Sequence, residues 1–287
     1  MQIKRKPEWL QKKINPADHA EMDRLLGALH LNTVCREAAC PNISECFRQK
    51  QATFLIMGRD CTRTCSFCNV QKNSPLPLDQ EEPARVAAAI SRLKLRHVVI
   101  TSPTRDDLND GGAAHFASTV FAIRAVSGDT KIELLVPDFM GNRASLATVL
   151  HAEPDILGHN IETVPRLYAI RAGANYRRSL ELLQQAAELA PQIPVKSGIM
   201  LGLGESREEV LETIRDIRET GCSYLSIGQY LAPSRKHHPV AEYLPPEEFE
   251  FYRKKALSTG FSHVESAPYV RSSYHAADYT TEPQSGS

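Results

Sequence analysis

Three cysteines stand on one short stretch of this 287-residue chain, spaced Cys61-x3-Cys65-x2-Cys68, with Phe67 just before the last. Thiolates gathered on one loop are soft ligands that select iron–sulfur clusters or zinc. A [4Fe–4S] cube has four irons, so three thiolates leave one iron without a protein ligand. An open coordination position separates a metal site that does chemistry from one that staples a fold. The competing reading is a structural zinc knuckle borrowing a fourth ligand elsewhere, but paired zinc ligands usually come as Cys-x2–4-Cys couples. A second triplet, Cys35-x4-Cys40-x5-Cys46, lies just upstream, so six of the seven cysteines fall within residues 35–68. Disulfides account poorly for the pattern: there is no apolar secretory segment, the chain is long, and an odd cysteine is left over. Two clusters are the better reading.

Elements must bring such residues together, and composition bounds which ones. With 42% hydrophobic residues the chain can bury one large core with appendages. Its 34 basic and 34 acidic side chains cancel, so no global field recruits nucleic acid or an anionic membrane. No apolar run reaches the length of a bilayer span. The basic start runs into Pro7-Glu8-Trp9 instead of an apolar or Ser-rich leader, and the thiols must stay reduced to hold iron, so the expected address is the cytoplasm.

From residue 54 onward, short apolar runs alternate with amphipathic stretches. Strands are predicted at 54–57, 97–101, 131–136, 155–159, 195–201 and 224–229, with a short one near 261–265. Helices are predicted at 83–93, 113–126, 143–150, 178–189, 207–220 and 247–259, with Pro83 and Pro246 in first turns and Gly221 and Gly260 after helix ends. This alternation predicts parallel strands with crossover helices. The span 54–265 accommodates six βα units at roughly 35 residues each, whereas a closed eight-unit barrel typically takes about 250. The expected fold is therefore an α/β protein, an open, TIM-like (β/α)6 partial barrel over 54–265. Its mouth is covered by an N-terminal extension (1–53) carrying the upstream triplet and a C-terminal extension (266–287) ending in a disordered polar tail.

In such barrels the active site sits at the C-terminal ends of the strands. The Cys61–Cys68 loop follows the first strand and is placed at that face. The same rim receives Thr101–Gly112 with its Asp106, Asp107 and Asp110, the run His159-Asn160-Ile161-Glu162, the strand 195–201 with Gly202-Leu203-Gly204-Glu205 after it, and Gln229-Tyr230-Leu231. Taken singly, the acidic residues are helix caps and the glycines turn formers. Their convergence on one rim favours a site. Asn160 and Glu162 suit a ribose or an amino group, and Met200 offers a soft apolar surface to an adenine face. Cys222, outside both triplets, reads as a small buried apolar residue. His237 and His238, before Pro239, face solvent or a substrate domain.

The chain from about residue 4 to 277 resembles the lipoyl synthases, radical S-adenosylmethionine (SAM) enzymes that insert sulfur. The resemblance rests on the two cysteine triplets with Pro41-Asn42 and Ala52-Thr53-Phe54, and on Arg105-Asp106-Asp107-Leu108, Asp110-Gly111-Gly112-Ala113 and Val136-Pro137-Asp138-Phe139. It extends to His159-Asn160, Gly202-Leu203-Gly204-Glu205 and Val270-Arg271-Ser272-Ser273-Tyr274-His275. The resemblance implies two [4Fe–4S] clusters. Cys61, Cys65 and Cys68 hold the one whose open iron is chelated by SAM; Cys35, Cys40 and Cys46 hold an auxiliary one, with Ser273 as fourth ligand and Ser272 the fallback. A hard serine alkoxide among soft thiolates is the easiest ligand to displace, which suits a cluster dismantled as sulfur donor. SAM contacts are then expected from Asn160, Glu162, Arg178, Met200 and Leu231, and Arg271 is expected to stabilise the covered site.

The implied reaction inserts sulfur at C6 and C8 of an octanoyl chain amide-linked to a carrier lysine. Aliphatic C–H bonds offer no acidic proton, so a radical is required. The implied partners are octanoylated lipoyl carrier domains or a glycine-cleavage H-type protein, a flavodoxin- or ferredoxin-type electron donor, and cluster-repair proteins. The rivals are a biotin synthase-like or tRNA-methylthiolating radical SAM enzyme, an iron–sulfur electron carrier and a zinc module. An RNA-acting enzyme should carry basic surface, and an electron carrier normally ligates every iron; this chain fits neither.

Overall fold

The structure, a computed structural model, describes residues 6–11, 20–37, 40, 42–48 and 51–273. Helix α1 (Ala20–Ala28) leads to a short strand, β1 (Asn32–Thr33), and two short helices, α2 (Val34–Glu37) and α3 (Ile43–Arg48). Strand β1 pairs antiparallel with β2 (Ala52–Leu55). Six further strands follow, each parallel to the one before: β3 (His97–Thr101), β4 (Lys131–Leu135), β5 (Ile156–Gly158), β6 (Val195–Leu201), β7 (Tyr224–Gln229) and β8 (His263–Ser266). One long helix fills each of the six crossovers: α4 (Glu82–Leu93), α5 (Ala113–Val126), α6 (Arg143–His151), α7 (Tyr176–Leu189), α8 (Arg207–Glu219) and α9 (Pro246–Thr259). The strands lie in chain order from β1 to β8, and among the described residues β8 pairs only with β7, so the sheet stays open. The partial α/β barrel expected from the spacing is the observed architecture.

Helix ends follow local chemistry. Pro83 lies in the first turn of α4 and Pro246 opens α9. Ser206 and Glu209 form a reciprocal capping box on α8, and Gly260 ends α9 at φ 103°. The first barrel strand departs from expectation: it starts at Ala52, two residues early, and stops at Leu55. Met57 turns the chain at φ 64°, with its N–H donated to the buried Glu82 carboxylate at 2.7 Å. That turn ends the ladder and launches the cysteine loop.

Residues in register share a face of a sheet. On the outer face Val98, Ile100, Ile132, Leu134, Leu157, Ile199, Leu225 and Ile227 join Val86, Ile90, Phe116, Val120, Val149, Leu183, Ile214 and Phe249 of the helices in one apolar cluster. The inner face is far more polar, with Thr53, Val99 and Glu133 in register and Gly198 paired to Ser226. Inside it Lys196 Nζ pairs with Glu133 Oε1 at 3.0 Å, both fully buried. Burial pushes the Lys196 ammonium down, while Lys196, against the burial penalty, holds the Glu133 carboxyl down. Among the described residues no helix is long and apolar enough to cross a membrane.

Candidate cluster and cofactor sites

The loop after β2 is tied down on three sides. Cys61 N–H donates to Gln71 O at 2.8 Å, Thr62 N–H to Thr104 O at 3.0 Å and Ser66 N–H to Ile170 O at 2.8 Å. Arg63, inside the triplet, points inward and is clamped by two carboxylates: Asp106 at 2.7 and 2.9 Å and Asp138 at 2.6 and 3.1 Å. Arg178 Nε donates to the same Asp138 carboxylate at 2.8 Å and its guanidinium to Gly173 O at 2.6 Å. Burial works against the charge on Asp138, but Arg63 and Arg178 outweigh it and hold the carboxyl well below the usual range.

Cys61, Cys65 and Cys68 line one cavity of about 170 Å³ with Ser102, Asp138, Asn160, Glu162 and Arg171. It opens at the ends of β2 to β5, where the rim was expected. Glu162 adopts φ 70°, a left-handed conformation uncommon outside glycine. Its backbone bridges to β6, accepting from Met200 N–H at 2.8 Å and donating to Gly198 O at 2.9 Å, so the sheet fixes the backbone from which the side chain projects. Burial raises the Glu162 carboxyl, opposed by Arg171 and by the Asn160 amide at 3.0 Å. Behind this wall His159 Nδ1 bonds Val136 O at 2.8 Å and Nε2 meets the Ser179 hydroxyl at 2.9 Å. Burial, with Arg171 nearby, lowers its imidazole to about 4, so it stays neutral. His159 therefore positions the strand end.

A second cavity gathers the upstream triplet. Cys35 of α2, Cys40, and Cys46 of α3 line it together with Thr53, His97, Val99, Arg271 and Ser273. Cys40 N–H donates to Cys35 O at 3.0 Å and Cys46 N–H to Asn42 O at 2.9 Å, which folds the triplet into a small cup. Burial, with Cys40 and Cys46 beside it, pushes the Cys35 thiol up to about 12; burial also raises Cys65, and Cys68 to about 11. Iron binding at either triplet must therefore release protons.

The donor sets fit iron–sulfur cubes. Three thiols from one short stretch of chain line a shared cavity twice over, and each wall contains a buried polar atom without a hydrogen-bond partner: Ser102 Oγ in the first, His97 Nδ1 in the second. Among the described residues no three His, Cys, Asp or Glu side chains gather closely enough to chelate a single metal ion. A cube spreads its ligands, one thiolate to each iron, so the tighter geometry of a mononuclear site is not what it needs.

Residues 55–217 match the radical SAM superfamily. The chain is 66% identical over 281 residues to a lipoyl synthase from Geotalea daltonii, covering 98% of this chain and 96% of that one. To a lipoyl synthase from Geobacter metallireducens it is 68% identical, covering 97% and 99%. The chain belongs to the lipoyl synthase family. It is thus an enzyme of the radical SAM superfamily, a class that works with a [4Fe–4S] cluster and SAM. Among solved structures, methylornithine synthase superposes with a TM-score of 0.57 at 14% identity, covering 92% of this chain and 84% of that one. SuiB from Streptococcus suis, bound to S-adenosylmethionine, gives 0.60 at 12%, covering 87% and 60%. At such identities the likeness is one of fold.

Within this lipoyl synthase family member, Asn160 and Glu162 share the first cavity with the three cysteines, and Arg271 and Ser273 share the second. Ser272 turns the other way, with its hydroxyl accepting from Asn160 Nδ2 at 2.6 Å. Arg178, Met200 and Leu231 do not line the first cavity; Arg178 lies behind it on Asp138, Met200 sits near the end of β6, and Leu231 lies two residues past β7. Pro41, Tyr274, His275 and the polar tail lie outside the described residues. Cys222 is fully buried, its thiol raised to about 12 by burial. Sequence reasoning missed Arg63 and Arg171, and placed Ser102 on the rim without giving it a role. Arg63 lies inside the triplet, but no spacing rule marks an intervening arginine as functional.

Proposed function

We propose that the enzyme inserts two sulfur atoms, at C6 and C8 of an octanoyl chain amide-linked to a carrier lysine, to form the lipoyl group. The observation that carries this reading is the pair of three-cysteine cavities within one open barrel, the second also lined by Ser273. Cys61, Cys65 and Cys68 are the ligands of one [4Fe–4S] cluster, and Cys35, Cys40, Cys46 and Ser273 those of an auxiliary one. When bound, the first cluster and SAM supply a carbon-centred radical able to take hydrogen from an aliphatic C–H bond, and the auxiliary cluster supplies the sulfur.

The chain's own residues bind, orient and exclude water. Arg63, held between Asp106 and Asp138, fixes the cysteine loop that would hold the cluster at the cavity wall. Glu162 and Asn160 offer polar contacts to the amino or ribose groups of SAM, and Arg171 and Ser102 complete the wall. Arg178 acts through Asp138. Met200 and Leu231, expected SAM contacts, lie outside the wall, so any contact they make is to parts of SAM beyond it. Arg271 lines the second cavity and donates to Val270 O, which braces the covering segment internally. The partners proposed are octanoylated lipoyl domains or an H-type carrier, a low-potential flavodoxin or ferredoxin, and cluster-repair proteins, in a reducing compartment such as the cytoplasm.

Anaerobic reconstitution tests the site, with about eight irons per chain expected for two cubes. Reduced protein, SAM and an octanoyl-lysyl peptide are then mixed and analysed by mass spectrometry for two added sulfurs. 5′-Deoxyadenosine without sulfurated peptide refutes the assignment, and zinc in place of iron refutes the site.

A further inference from the structure

The segment after β8 enters the barrel mouth and lies between the two cavities. Asn42, beside the second triplet, donates its amide to Tyr269 O at 2.7 Å. Gly228 of β7 floors the path: a Cβ there would fall well inside contact distance of Val270 O and 3.3 Å from the Arg271 guanidinium. Gly198 of β6 leaves similar room, since its Cβ would stand 2.9 Å from Asn160 Oδ1. Two adjacent serines then divide between the sites. Ser273 lines the auxiliary cavity, and Ser272 accepts from Asn160 Nδ2 at 2.6 Å. The same Asn160 nitrogen donates to Glu162 at 3.0 Å in the wall of the first cavity.

We infer that Ser272 couples the two sites, so that ligation of Ser273 in the auxiliary cavity orders Asn160 and Glu162 and tightens SAM binding in the first; the inference rests on the ligand roles proposed above. Consecutive residues cannot move independently. Anchoring Ser273 fixes Ser272 within hydrogen-bond reach of Asn160, and freeing it lets the amide swing away from Glu162. SAM is then held best when the sulfur source is in place, which limits radical formation in an enzyme with nothing to transfer. Coupling between sites is a free energy and need involve no further element.

The test compares SAM dissociation constants, by equilibrium dialysis of anaerobically reconstituted protein, for the native enzyme, Ser272→Ala, the triple variant Cys35→Ala/Cys40→Ala/Cys46→Ala, and the two combined. The triple variant and Ser272→Ala are each expected to weaken SAM about fivefold or more, the scale of ordinary allosteric coupling, and the combination no further than either alone. Ser273→Ala, which keeps every cysteine, is expected to match the triple variant, and Ser272→Thr, which keeps the hydroxyl, to match the native protein. Unchanged affinity in Ser272→Ala, or losses that multiply in the combination, overturns the coupling while leaving the proposed reaction standing. Failure of the native, fully loaded enzyme to bind SAM overturns both.

Discussion

Arg63 illustrates how a single side chain can be held to a single task by charge. Its guanidinium is almost wholly enclosed and makes paired contacts to Asp106 and Asp138, the latter with no exposed surface. Removing one partner of a buried pair strands the other without solvent, at a cost of about 3–5 kcal/mol. Arg63→Met is accordingly expected to lower unfolding stability by about that amount in urea titrations, although Arg178 retains part of the compensation on Asp138. Glu162 works differently. Its buried carboxyl already has Asn160 as donor, and an anionic acceptor is worth about 1.5–3 kcal/mol to a cationic ligand group. Glu162→Gln should therefore weaken SAM binding about tenfold or more with little change in iron content, as equilibrium dialysis and iron assay would show.

At the scale of elements, the strands deliver the chemistry at their ends and the loops acquire it through backbone bonds to neighbours. The cysteine loop has no helix or ladder of its own between Asp60 and Gln71, yet its N–H groups reach the loops after β3 and β5. The C-terminal segment depends on a missing side chain. At Gly228 a strand interior gives up packing so that another backbone can approach. Gly228→Ala should expel Val270–Ser273 from the barrel mouth and with it the Ser273 contact. Iron content is expected to fall from about eight toward about four per chain as the auxiliary cube is lost, while circular dichroism keeps the native helix signal. Full retention of both clusters would show that the segment is not needed to hold the second.

For the molecule as a whole, stability should fall on acidification before the carboxylates titrate. His159 is held neutral down to about pH 4 by burial, whereas in the unfolded chain it titrates near 6.5. Below 6.5 the unfolded state takes up a proton that the folded state refuses, so the stability present above that pH is lost as pH drops toward 4. One such group contributes a slope of about 1.4 kcal/mol per pH unit across this window. Urea midpoints measured from pH 7 to 4.5 should show the slope in the native protein and lose it in His159→Phe. At lower pH the depressed Asp138 adds to the loss in the same direction, as protonation breaks its pairing with Arg63 and Arg178.

Much of this architecture was legible from neighbouring residues. The alternation of apolar runs and amphipathic stretches, the six crossovers, the caps at Pro83, Pro246 and Gly260, and the two cysteine triplets are properties of local period and spacing. Those patterns act over a few residues and need no fold to be read. The end of β2 was misjudged because Ile56 and Met57 are apolar enough to continue a strand, and the turn at Met57 depends on Glu82 of α4. The partners of the site residues lie still farther off. Arg63 meets Asp138 75 positions away, and Asn160 meets Ser272 112 positions away. No periodicity links such pairs. Their distances exist only once parallel strands have carried their ends to one rim, where burial turns unremarkable charges and hydroxyls into a clamp and a bridge.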